Sequence, residues 1–404
     1  MNTYQVPDFH RLTPSSEIKR RLAGLQAALL ESGLDAALLV YPVDLFYFTG
    51  TLQAGHLLVP SHGPAVLLIR RDLDRARAES PLDGILELTS FNELPGRLRE
   101  SLGPDPATLG MELDILPVNL FQRYQALWPR TRFVDVSPLV MELRAVKSEY
   151  EIQCMRRAGE LADRVYGRIP EMMKPGQTEM ELAGLITSEA YAGGHQNQLR
   201  MRAFDLDMYT WHVISGESGG IRSVIDAAFA GYGVSPAFPM GASQKIMRRG
   251  ESILIDFGIC LDGYQVDLTR MFSLGPPPNI ITEACQALAE IESVLMQNLY
   301  PGQPAGPLFD LAVDRAEKLG FGEAFLGTPG RKVRFVAHGL GLEINEPPIV
   351  APGRTQVLCE GMTVALELKM VFPGVGAAGL ENTVAILADG PKKLTLARED
   401  LVMV

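Results

Sequence analysis

Hydrophobic and polar positions change their period several times along the chain. From Glu17 to Ser32 apolar residues recur at helical spacing and predict an amphipathic helix. Short apolar runs follow, Ala36-Ala-Leu-Leu-Val40, Leu57-Leu-Val59 and Ala65-Val-Leu-Leu-Ile69, which predict strands. Helix alternating with strand over residues 17–140 predicts a small α/β domain. Tyr47-Phe-Thr-Gly50 reads as a turn, and no glycine-rich phosphate loop follows any of the strands. Near Leu143-Arg-Ala-Val-Lys147 the pattern shifts, and Ser148 with Glu151 predicts a capping box opening a new helix. The boundary is placed there, giving domains 1–145 and 146–404.

Beyond it one arrangement occurs twice. A helix from Glu149 towards Met173 ends at Pro175-Gly176, and a second starts at Thr178 with Glu181 completing another capping box. Later a helix from Thr282 to Tyr300 ends at Pro301-Gly302, and another runs from Leu308 to Leu319. Each pair precedes a glycine, an apolar β-rich segment and an acid: Gly250-Glu-Ser-Ile-Leu-Ile-Asp256 and Gly361-Met-Thr-Val-Ala-Leu-Glu367. A second acid follows each after a turn, Asp267 before Leu-Thr269 and Glu381 before Asn-Thr383. Both segments predict β-hairpins. A first turn centred on Leu261-Asp262 sets Asp256 opposite Asp267, and a second centred on Gly374 sets Glu367 opposite Glu381. A register offset of two still leaves each pair on one face. The repeat predicts two α/β halves about a pseudo-twofold axis, an α/β (α+β) architecture with its site at the seam.

These four acids lie in apolar flanks, where Asp and Glu are rarely buried unpaired. Facing carboxylates repel, so a stable fold there requires protons or cations. His338, in Val333-Arg-Phe-Val-Ala-His338-Gly-Leu-Gly341, adds an imidazole, and Gly339 and Gly341 permit close backbone approach. One imidazole with four carboxylates suits two divalent ions, manganese first, with cobalt, zinc or iron(II) as alternatives. Cys154, Cys260, Cys285 and Cys359 are scattered without a metal-type spacing and read as reduced thiols. Cys260 stands at even spacing from Asp256 and is a candidate for the same face.

Net charge of −11 and a pI near 5.2 leave no basic footprint for nucleic acid. No 18-residue apolar run predicts a membrane span, and the start, Met1-Asn-Thr-Tyr-Gln-Val-Pro7, lacks the pattern of a leader. The expected location is the cytoplasm.

On Asp256, Asp267, His338, Glu367 and Glu381, with Leu143-Arg-Ala-Val-Lys-Ser148 closing the first domain, the chain resembles the creatinase, prolidase and aminopeptidase P family of pita-bread metallohydrolases. That resemblance implies a creatinase-like N-terminal domain followed by a pita-bread catalytic domain. It further implies that Asp256 chelates one ion, Asp267 and Glu381 bridge both, and His338 with Glu367 completes the second. Two ions about 3.5–4 Å apart activate water and polarise a scissile carbonyl, while Glu367 shuttles a proton to the leaving nitrogen. The implied activity is that of a Xaa-Pro aminopeptidase or dipeptidase acting on short peptides, and the implied assembly is a homodimer.

Three positions depart from the family pattern. Met240 follows Pro239 where a histidine is usual, Asn345 precedes Glu346-Pro347 where a second histidine is usual, and Gly379 stands where an arginine commonly precedes the last glutamate by two. Asn345 retains hydrogen-bonding capacity towards an oxyanion, whereas Met240 has none. Met240, Asn345 and His212, with Trp211, are therefore the expected substrate-lining residues, and Arg200 and Arg202 are candidates for a substrate carboxylate. The departures keep open a small-amide or other non-peptide substrate, as in family members resembling ectoine hydrolases or dimethylsulfoniopropionate lyases, and a binding protein without catalysis.

Overall fold

Ile18, Leu22, Leu25 and Leu29 share one face of the first helix, α1 (Ser15–Glu31), and all are buried. This helical spacing gives the segment its place over the core of the first of two compact units, Met1–Arg144 and Ala145–Val404. The structure, a computed structural model, describes residues 4–203, 212–223 and 226–404. In the first unit six strands, β1 (Ala36–Leu39), β2 (Gly55–Pro60), β3 (Val66–Ile69), β4 (Ile85–Glu87), β5 (Thr108–Met111) and β6 (Arg132–Asp135), form one mixed sheet in the order β4-β3-β2-β1-β5-β6. Its helices are α1, α2 (Pro42–Thr49), α3 (Leu73–Glu79), α4 (Leu94–Leu102), α5 (Val118–Leu127) and α6 (Ser137–Ala145). The expected turn at Tyr47-Phe-Thr-Gly50 is instead the end of α2. Gly50 caps that helix in the left-handed region at φ 76°, which is where its turn-like composition comes from.

The second unit begins with α7 (Glu149–Met172) and α8 (Glu179–Ala192), each opened by the expected capping box, Ser148/Glu151 and Thr178/Glu181. Strands β7 (His212–Ser215), β8 (Ser252–Asp256), β9 (Ile259–Leu261), β10 (Tyr264–Val266) and β11 (Thr269–Ser273) complete the first half. The second half holds α9 (Asn279–Met296) and α10 (Ala305–Lys318), then a ribbon of β12 (Gly327–Thr328) and β13 (Arg331–Lys332). It ends in β14 (Ala337–Gly339), β15 (Glu346–Val350), β16 (Thr363–Phe372), β17 (Gly376–Leu387), β18 (Gly390–Lys393) and β19 (Val402–Met403). The main sheet runs β15-β14-β16-β17-β11-β8-β7, with β18 and β19 attached to β17 and β11. The second strand of each acid hairpin, β11 and β17, meets its counterpart at the middle of the sheet. That meeting line is the pseudo-twofold seam of a pita-bread-like domain.

The back of the seam is closed by buried polar groups. Arg270, fully buried, donates to the carbonyls of Thr269, Glu381 and Ala397 and to Asn382 Oδ1. Tyr166 of α7 donates its hydroxyl to Leu268 O at 2.9 Å. Hydrogen-bonded in this way, the buried cation ties β11 to β17 rather than destabilising the core. No helix among the described residues is long and apolar enough to cross a membrane.

Candidate metal centre

One transverse row of residues crosses the sheet. His212 of β7 stands opposite Asp256 of β8, Asp256 opposite Thr269 of β11, Thr269 opposite Glu381 of β17, and Glu381 opposite Glu367 of β16. Opposed residues of antiparallel strands project to the same face, so alternation delivers all of these side chains to one side. His338 of β14 pairs with Ala365, two positions from Glu367 along β16, and joins that face. Asp267 lies in the link between β10 and β11, held where its amide donates to Thr383 Oγ1 at 2.8 Å and its carbonyl accepts from the same hydroxyl at 2.9 Å.

The second hairpin has the expected register, with Glu367 opposite Glu381. The first differs. Leu261 pairs with Tyr264, so the turn is Asp262-Gly263 rather than Leu261-Asp262, and Asp256 faces Thr269 instead of Asp267. Asp262 and Gly263 take φ of 52° and 85°, the left-handed pair that a tight Asp-Gly hairpin turn requires. The offset is two residues, so the acids stay on one side of the sheet.

Two ligand clusters result, Asp267–His338–Glu381 and Asp256–Glu367–Glu381, with candidate ligand atoms of each cluster lying within 4.8 Å of one another. Glu381 belongs to both. Its Oε2 accepts from Thr269 Oγ1 at 2.8 Å and from Lys369 Nζ at 2.7 Å, whereas its Oε1 is buried with no hydrogen-bond partner among the described residues. His338 Nδ1 lies 3.2 Å from Gly339 O, which places the ring proton on Nδ1 and leaves the Nε2 lone pair for a ligand. That Nε2 is 3.7 Å from Glu367 Oε2 and 4.0 Å from Glu381 Oε1. A cation-accepting imidazole beside an orphaned buried carboxylate oxygen fits divalent metal. Gly339 is required here by close approach, because a Cβ would meet Pro347 O at 2.3 Å.

The electrostatics follow from burial of like charges. Burial and the neighbouring Glu381 charge push the Glu367 carboxyl up to about 8, against an opposing effect of Lys369. Burial, Glu381 and Asp256 raise Asp267 well above the usual carboxylate range. Asp256 is the exception: burial alone would raise it, but Lys369 and His212 outweigh that and hold it below its ordinary value. Burial keeps His338 neutral. In the metal-free protein Glu367 and Asp267 therefore bind protons that the unfolded chain has released. For Glu367 that contribution to stability is complete below the unfolded value near 4.5 and is lost as pH rises through about 8, and for Asp267 it is likewise lost as pH rises through its raised value. Metal binding has the opposite preference, since it needs deprotonated ligands. The gap in melting temperature between manganese-loaded and chelator-treated protein is expected to widen steadily from pH 5 to pH 8. Calorimetry across that range checks it, and a constant gap would contradict the assignment.

Other expected residues are distributed unevenly. His212 Nδ1 lies 3.9 Å from Asp256 Oδ2, at the edge of the row. Met240 is fully buried. Asn345 is exposed, its amide nitrogen 3.9 Å from Met201 Sδ. Trp211 falls outside the described residues. Arg200 contributes its carbonyl, which accepts from Ile344 N at 2.7 Å. Cys260 lies on the two-stranded β9–β10 ribbon, where its Sγ donates to Gln196 Oε1 at 2.9 Å and burial pushes the thiol up to about 12.

Two members of the centre were not anticipated, Thr269 and Lys369. The signal for Lys369 was its place two residues after Glu367 in one strand, hence on the same face. Lys369 pairs directly with Gly379 across the hairpin, so the position lacking the usual arginine is the one that leaves room for a lysine from the next strand.

Residues 153–388 match the model of metallopeptidase family M24, and residues 21–146 match the creatinase/prolidase N-terminal domain. The Xaa-Pro dipeptidase of Pyrococcus furiosus is 26% identical over 388 residues, covering 95% of this chain and 100% of the relative. The solved Xaa-Pro dipeptidase from Bacillus anthracis superposes with a TM-score of 0.82 at 24% identity, covering 96% of this chain and 100% of that one. An X-Pro aminopeptidase from Thermotoga maritima superposes at 0.78 with 23% identity, covering 92% and 98%.

Proposed function

The chain belongs to metallopeptidase family M24, and from that premise we propose that this metal-dependent hydrolase cleaves the amide bond of short peptides, Xaa-Pro peptides foremost. The observation that carries the reading is the buried Oε1 of Glu381, without a hydrogen-bond partner among the described residues, in a side chain common to both ligand clusters. A buried acceptor of this kind is costly unless a cation completes it. The oxygen-rich donor set with a single imidazole favours manganese. When bound, the ions lower the pKa of water and polarise a carbonyl.

The chain's own residues supply the rest. Asp267, His338 and Glu381 would hold one ion and Asp256, Glu367 and Glu381 the other, a grouping by proximity that differs from the bridging Asp267 and the His338–Glu367 pairing implied by the resemblance. Glu367 takes a proton from the attacking water and returns it to the leaving nitrogen. His212, at the Asp256 end of the row, lines the substrate side, and Asn345 offers an amide donor to an oxyanion. Names of similar proteins, Xaa-Pro dipeptidase among them, support the substrate class.

A second reading, a non-peptide amide or a lyase substrate, is supported by Met240 and Asn345, which stand where the family pattern has histidines. Restoring histidine at the fully buried Met240 would bury an unpartnered ring, so Asn345, which is exposed, is the position to test. For a peptidase, Asn345→His is expected to raise Xaa-Pro cleavage, by up to about 10²-fold where the donor is well aimed. A panel of dipeptides, tripeptides and small amides, assayed on manganese- and cobalt-loaded enzyme, gives the baseline. Turnover confined to non-peptide amides, with Asn345→His lowering it, would establish the second reading instead.

A further inference from the structure

Lys369 is buried at the floor of the row, and its surroundings are those of a bound cation. Its Nζ lies 3.0 Å from Asp256 Oδ2, 2.7 Å from Glu381 Oε2 and 3.8 Å from Glu367 Oε1, and it also donates to Thr269 Oγ1. Those three carboxylates are the members of one ligand cluster. Asp267 and His338, which complete the other cluster, receive no hydrogen bond from it among the described contacts. The strand register explains how the side chain arrives there. Lys369 stands opposite Gly379, where an added Cβ would lie 3.0 Å from Lys369 Cδ and 2.8 Å from Thr269 Cγ2. Absence of a side chain at 379 opens the channel along which the lysine reaches across the seam.

We propose that Lys369 is the resident cation of the Asp256–Glu367–Glu381 cluster, and that a divalent ion enters this cluster only in competition with the ammonium. This rests on the metal-centre reading above. The Asp267–His338–Glu381 cluster meets the ammonium only through the shared Glu381 Oε2, with Asp267 and His338 uncontacted by it among the described residues, and fills first. Two effects act in the same direction at the Asp256 side. The ammonium repels an incoming divalent ion at contact range, and it already occupies Asp256 Oδ2 and Glu381 Oε2, leaving one oxygen of each carboxylate. The enzyme is thereby a singly loaded species at low free metal and a doubly loaded one at high free metal.

Calorimetric titration of the metal-free full-length protein with Mn²⁺ tests this without measuring activity. Wild type is expected to bind one ion tightly and a second at least about tenfold more weakly, given the size of a contact-range charge repulsion. Lys369→Met is expected to strengthen the second event by about tenfold or more, while lowering the melting temperature of the metal-free form only, because the carboxylates lose their counter-cation. Lys369→Arg, which keeps the charge, is expected to keep the second event weak. Two indistinguishable ions in wild type would overturn the proposal even if the variant fails to fold. So would a second event that Lys369→Met leaves unchanged or weakens. Absence of Mn²⁺ binding by both proteins would overturn the metal-centre reading itself, and the proposal with it.

Discussion

Glu381→Gln is expected to abolish turnover and to cut the affinity for both ions, the largest loss from any single substitution in the chain. Glu381 is the one carboxylate common to both clusters, and each of its oxygens has a separate task. Oε2 is pinned by Lys369 and Thr269, and this fixes the direction of Oε1 towards His338. An amide in its place bridges two cations poorly and turns a donor towards Lys369 or towards the metal. Breaking a buried charge pair by neutralising one partner costs about 3–5 kcal/mol, and a loss of that size in metal binding corresponds to roughly 10²–10⁴-fold in affinity. Elemental analysis after dialysis against buffered metal, together with a steady-state assay, measures both effects. Full occupancy with unchanged kcat would show that Glu381 is not the shared ligand.

Glu367→Gln should separate binding from chemistry. Its carboxyl is raised towards neutrality by burial and by Glu381, so in the metal-free site it is poised to exchange a proton near physiological pH. The substitution is nearly isosteric and leaves all three members of the Asp267–His338–Glu381 cluster unchanged. The fold and the ion at Asp267–His338–Glu381 are therefore expected to survive. Activity should fall by about 10²–10⁴-fold, the range for loss of a general base. A melting curve and metal analysis alongside kcat and KM make the test. A full rate with normal metal content would remove Glu367 from the proton path.

Much of this centre was legible because it is written in strand periodicity. An acid at the end of an apolar β segment, repeated after Gly250 and Gly361, marks one face of a sheet by alternation alone. Asp256, Glu367 and Glu381 fall on that face in whatever even register the hairpins adopt. The capping boxes at Ser148 and Thr178 and the Pro-Gly breaks after α7 and α9 were equally local, since each is satisfied within a few residues of backbone. The same locality explains the misread turn at Tyr47–Gly50. A helix end and an isolated turn both ask for a left-handed glycine, and only the preceding backbone distinguishes them.

What the sequence by itself determined, then, was the identity and sidedness of the acids and the repeat that carries them. Tertiary structure alone decided how the two hairpins meet. Pairing of Thr269 with Glu381 across the β11–β17 seam joins residues 112 positions apart, and no periodicity within either hairpin specifies that contact. The same pairing brings Lys369 of one half to Asp256 of the other. A lysine that reads as an ordinary strand residue becomes a buried counter-cation because the glycine opposite it leaves space and three carboxylates from three different strands converge on its ammonium. Burial of that charge is tolerable only once the sheet has assembled around it, which is why the residue's role is a property of the fold and not of its neighbours in the chain.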